Sequence, residues 1–89
     1  MNEPQTLAMR DINGNIVHAT IGDPVMTQAA LCWGIVPVGT RGVITGLTVF
    51  HHCPSANSIL VVFPLPTRDH TASFPWPMNP LRVVTGSNQ

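Results

Sequence analysis

The sequence predicts an all-β fold of about five short antiparallel strands led by an N-terminal arm, and three observations carry this expectation. Residues 40–52 and 58–63 are dense in β-branched and aromatic side chains, which suit a pleated, half-buried surface. Nine prolines and seven glycines punctuate the 89 residues. Between them, no stretch keeps a 3.6-residue apolar period long enough for a stable helix. Short strands separated by turn residues point to a small barrel or sandwich.

Residues 1–14 read as an arm, with Pro4, mixed polarity and no sustained period. Asn13 followed by Gly14 is a turn signal, because both residues tolerate positive φ. A first strand is expected at residues 15–21. Gly22, Asp23 and Pro24 end it, since Pro24 has no N–H to donate. Residues 25–27 begin extended, and residues 28–39, with Trp33, Gly34, Pro37 and Gly39, read as an irregular loop.

In the strand over residues 40–52, Val43, Thr45, Leu47 and Val49 fall on one face. Ile44, Gly46, Thr48 and Phe50 fall on the other, and Gly46 marks a bend or bulge. A loop over residues 53–57 leads to a strand at residues 58–63, closed by Pro64 and Pro66. The polar residues 67–73 read as a loop, and Pro75, Pro77 and Pro80 exclude helix after it. A last short strand is expected at residues 81–85, and residues 86–89 read as a frayed tail. Phe50 and Phe63 are assigned to the core.

Several turn and strand residues together carry a resemblance. Gly22-Asp23-x-Val25 is followed by Val38-Gly39-Thr40-x-Gly42-Val43-Ile44-x-Gly46, a strand ending in Phe63, and Leu81-x-Val83. This series resembles small SH3-like barrels over residues 15–85, in which a G-D-x-V opening strand precedes a G-T-x-G-x-V start to a long bent strand. The resemblance implies a five-stranded barrel. It implies no single activity, because such barrels serve as binding modules, ribosome-associated domains, enzyme subunits and small tetrameric enzymes. The chain departs from the peptide-binding type in having no Tyr and few acids, and from the nucleic-acid-binding type in lacking basic loops.

Charge is scarce. Charged residues make up 9% of the chain, against about a quarter in an ordinary soluble domain. No Lys is present, and Arg10, Arg41, Arg68 and Arg82 balance Glu3, Asp11, Asp23 and Asp69 to a net charge of zero. Scattered arginines cannot track a phosphate backbone, so no nucleic-acid partner is expected. Residues 1–12 lack the charged and apolar regions of a signal peptide, and no apolar run approaches the roughly 20 residues of a membrane span. A cytoplasmic protein with no membrane partner is therefore expected. Two cysteines, Cys32 and Cys53, are too few for a disulfide framework and are expected to be thiols.

The densest polar constellation is His51, His52 and Cys53, with Asp69 and His70 later in the chain. Imidazole and thiolate suit Zn²⁺, but adjacent strand residues point to opposite faces and no metal-type spacing is present. No metal or other cofactor is expected, and no nucleophile with a base beside it is evident. His52, His70 and Arg68 are the candidates for a ligand site, should one form where copies of the chain meet.

Residues 58–63 are apolar on both faces: Ile59, Val61 and Phe63 alternate with Leu60 and Val62. A strand with one wet face should alternate with polar residues. One face is thus expected to meet another subunit, unless the arm or residues 74–78 fold over it. Leu60 and Val62 are assigned to that interface, with Trp33 and Trp76 as anchors. The expected function is a non-enzymatic interaction module that self-associates as a dimer or tetramer. The alternatives are a ligand-binding protein or enzyme whose site forms at a symmetric interface, and an accessory subunit bound to a different protein.

Overall fold

The structure, a computed structural model, describes residues 5–84 without the side chain of Cys32. The start of the arm and the tail at residues 86–89 lie outside the described residues. Among the described residues seven strands are formed: β1 (Leu7–Arg10), β2 (Ile16–Ala19), β3 (Pro24–Thr27), β4 (Arg41–Thr48), β5 (Ser58–Pro64), β6 (Asp69–Pro75) and β7 (Leu81–Val83). Single 3₁₀ turns sit at Cys32–Gly34 and Pro54–Ala56. The fold is all-β. β1 and β2 make a two-stranded sheet, and the other five are ordered β6-β5-β4-β3-β7, antiparallel throughout.

The sheet is not closed into a barrel, but it is strongly curled. A flat five-stranded sheet would separate its edge strands by roughly 19 Å, at about 4.8 Å per gap. The chain from β6 to β7 makes two successive turns, closed by Met78 N–H to Pro75 O (2.9 Å) and Leu81 N–H to Met78 O (3.0 Å). Two such turns reach at most about 14 Å. The edges must therefore bend towards each other.

The curl encloses the core. Val25, Ile44, Ile59, Val61, Phe63, Phe74, Leu81 and Val83 are buried on the concave face. Phe63 and Phe74 meet edge to face, with ring centroids 6.1 Å apart at 83°, an arrangement worth about 0.5–1.5 kcal/mol beyond area burial. Gly42 is what lets Phe63 lie so close to β4. A Cβ there would stand 2.7 Å from both Phe63 Cδ1 and Val61 Cγ1.

The expected bend in the long strand is a bulge. Ile44 pairs with Val61 and Gly46 with Leu60, so Thr45 is the extra residue. An extra residue reverses the in–out alternation that follows it. Leu47, opposite the buried Ile59, joins the inner side with Ile44 instead of lying opposite to it. The strand ends at Thr48, earlier than expected, and Phe50 lies 49% exposed in the following turn, not in the core.

Two further readings are corrected. Leu7–Arg10 is not a free arm but one strand of a hairpin with β2, and its alternate residues Leu7 and Met9 enter the core. Gly14, at φ 87°, makes the connecting turn that Asn13 and Gly14 signalled. Asp69–Pro75 is a seven-residue edge strand, not a loop. Its polar residues Asp69, Thr71 and Ser73 face solvent, while His70, Ala72 and Phe74 turn inward. An edge strand with one wet face needs no more apolar content than that.

Gly42→Ala is expected to cost about 1–3 kcal/mol through overpacking against Phe63 and Val61. Gly46→Ala, whose Cβ would meet only the Leu60 side chain at 3.4 Å, is expected to change stability by less than about 1 kcal/mol. Urea denaturation of the two variants measures the contrast.

Candidate functional site

An open cleft of 390 Å³ lies between the β1–β2 hairpin and the turn after β6. One wall is Ala8, Arg10 and Ile16, the other is Trp76, Pro77 and Asn79, and Leu81 and Arg82 of β7 lie between them. Met9 and Met78 reach it from the core. The lining is mainly apolar, with two arginines and one asparagine.

Local chemistry holds each wall. Asp11 is buried, and its Oδ1 accepts the N–H groups of Asn13 and Asn15 at 2.9 Å each. Its backbone bridges to Val83, and Ile12 N–H donates to Val83 O at 3.0 Å, so the hairpin is fastened to β7. On the opposite wall, Trp76 N–H donates to Asn57 O at 2.8 Å. Asn57 is itself buried, and its Oδ1 accepts Phe50 N–H at 2.6 Å. The Trp76–Pro77 peptide is cis, and Met78 takes a left-handed φ of 55° with its side chain buried. Trp76 is 46% exposed and lines the cleft.

The sequence candidates fall in different places. Leu60 and Val62 lie on the convex face of β5, beside Val43 of β4. The hairpin and residues 76–80 both pack on the concave side, so neither covers that face. Leu60 is 41% and Val43 42% exposed, while Val62 is half-buried. Val43, Thr45, Leu60 and Val62 make an uncharged stretch of this face, with Arg41 exposed at the start of β4 and Asp69 at the start of β6 on the same side.

Trp33 stands apart from Trp76, on the loop between β3 and β4. Its base is a bridge between Leu31 and Val36, with N–H···O bonds of 2.8 and 3.2 Å in the two directions. Val36 is buried, and the buried Thr27 hydroxyl donates to Pro37 O at 2.8 Å while accepting Thr40 N–H at 3.0 Å. Trp33 caps this braced tip at φ 59°, fully exposed at 103%, with Ile35 and Val38 also exposed.

His52, His70 and Arg68 are not assembled into one site. His52 is exposed in the turn beyond the Ser58 end of β5. His70 is half-buried opposite Phe63, and Arg68 is exposed in the turn between β5 and β6. The five residue steps from Ser58 to Phe63 put His52 and His70 about 17 Å apart along the strand. Cys53 is an exposed free thiol, with Sγ 3.6 Å from Ser55 Oγ. Among the described residues, no three His, Cys, Asp or Glu side chains are grouped to hold a metal ion.

Sequence reasoning missed Arg10, Asn79 and Arg82 as site residues. They are far apart in the chain, and only the fastening of the hairpin to β7 brings them to one cleft. Trp76 was singled out for its flanking prolines, and it is the one sequence candidate that lines the cleft. Neither a protein-family model, nor a curated protein, nor a solved structure matches the chain. Among the described residues, no helix is long and apolar enough to cross a membrane.

Asp11→Ala removes the acceptor of two turn amides and is expected to cost about 1–3 kcal/mol. Hydrogen exchange should locate the loss, with faster exchange at Asn13 and Asn15 and unchanged protection in β5.

Proposed function

We propose that this protein is a non-enzymatic interaction module that self-associates through the convex face of its five-stranded sheet. The observation that carries this reading is the uncovered apolar patch of Val43, Leu60 and Val62. Contiguous apolar surface on a small domain marks a contact site. An exposed sheet face can also serve a two-fold dimer, in which the same patch meets itself. The scarcity of charge across the whole chain supports the same reading. The outer edge of β6 borders the patch and offers backbone groups that a second copy can pair with. A cytoplasmic location is consistent with the exposed thiol of Cys53.

A second reading is favoured by Trp33. An indole held fully exposed on a braced tip, flanked by Ile35 and Val38, is suited to a pocket on a different protein. Such a tip supports the reading of an accessory subunit that docks on a different protein.

Absolute mass by light scattering after size exclusion, over a range of concentrations, separates the two. Self-association predicts a dimer or tetramer in the wild type. Leu60→Asp should convert it to a folded monomer, while Trp33→Ala leaves the assembly intact. Val61→Asp, on the concave face, should instead unfold the domain. A wild type that stays monomeric at every concentration overturns the first reading and leaves the Trp33 tip as the docking element.

A further inference from the structure

The cleft between the hairpin and Trp76 has a chemistry distinct from the convex face. Its floor is apolar, from Met9 and Met78, and Trp76 lines one wall. Its polar groups are two guanidinium groups and the Asn79 amide, with no acid in the lining. Half of the chain's four cations are gathered here.

The two arginines converge because both are tied to one turn. Arg10 donates from Nη1 to Gly14 O at 2.6 Å, and Arg82 donates from Nη1 to Asp11 O at 3.3 Å. Gly14 N–H itself donates to Asp11 O at 3.0 Å, so the two acceptors belong to the same tight turn. A guanidinium carries five N–H donors, and each of these gives one of them to a backbone carbonyl. Asp11 directs Oδ1 to the amides of Asn13 and Asn15 and does not line the cleft. A carboxylate placed between two guanidinium groups can accept charge-assisted hydrogen bonds from both.

We infer that the cleft is a binding site for a small aromatic carboxylate. The carboxylate lies between Arg10 and Arg82, and the planar body stacks along Trp76 over Met9 and Met78. The volume of 390 Å³ falls within the range of about 300–1,000 Å³ typical of small-molecule sites. The pairing of an apolar floor with a few convergent polar groups is also what such sites use for orientation.

The test uses biphenyl-4-carboxylate and its neutral amide as probes, titrated into ¹⁵N-labelled full-length protein. The chain has two indole N–H groups, and the resonance that survives in Trp33→Phe belongs to Trp76. Saturable movement of the Trp76 resonance by the acid is expected, with the amide binding at least about tenfold more weakly. An Arg10→Gln, Arg82→Gln double variant should lose a similar factor for the acid and none for the amide. The acid–amide comparison on the wild type decides the matter even if that variant folds poorly. Equal affinity for acid and amide, no saturable shift at Trp76, or a shift confined to Trp33 would overturn the inference. Because the readout is local to Trp76, it is independent of whether the convex face dimerises.

Discussion

The packing of Phe63 against the bare backbone of Gly42 sets how tightly the sheet can curl. With no side chain at Gly42, β4 and β5 close over the Phe63 ring, and Phe74 meets that ring from β6. The curl then brings the end of β6 within two turns of the start of β7. That short connection carries Trp76 and drives Met78 into the core. A flatter sheet would leave the connection too short, and the cleft would have no second wall. The site thus depends on a contact buried on the other side of the core.

The bulge at Thr45 serves the same end. Strict alternation along β4 would place Gly46, not Leu47, on the side of Ile44. The extra residue switches the phase, so Ile44 and Leu47 both reach the core opposite Val61 and Ile59. It also leaves Gly46 opposite Leu60, with little bulk to shield it. The same irregularity that completes the concave core therefore uncovers Leu60 on the convex face.

The molecule presents three surfaces of different character: a convex sheet face with an apolar centre, a braced apolar tip at Trp33 and a cleft with two arginines. A sheet face buries area against another flat surface, a protruding indole needs a complementary pocket, and a cleft takes a small body with a charged end. The arrangement of few charges follows this division. Two of the four arginines lie at the cleft, and Arg41 is exposed at the start of β4, at the margin of the apolar stretch of Val43, Leu60 and Val62.

By itself the sequence determined the β class, because dense β-branched runs and frequent Pro and Gly leave no room for helix. It also determined β5, whose run of Ile59 to Phe63 reads as a strand apolar on both faces, and the turn at Asn13 and Gly14. It did not reveal β1 or β6. A four-residue strand holds too few repeats of a two-residue period to stand out, and β6 hides its inward His70, Ala72 and Phe74 among polar neighbours. Pairing, which is a property of the neighbouring strand, decided both. The cleft was decided by tertiary structure for a related reason. Arg10 and Arg82 are 72 positions apart, and no local pattern records that a turn at Asp11 will bind to Val83 and bring them together.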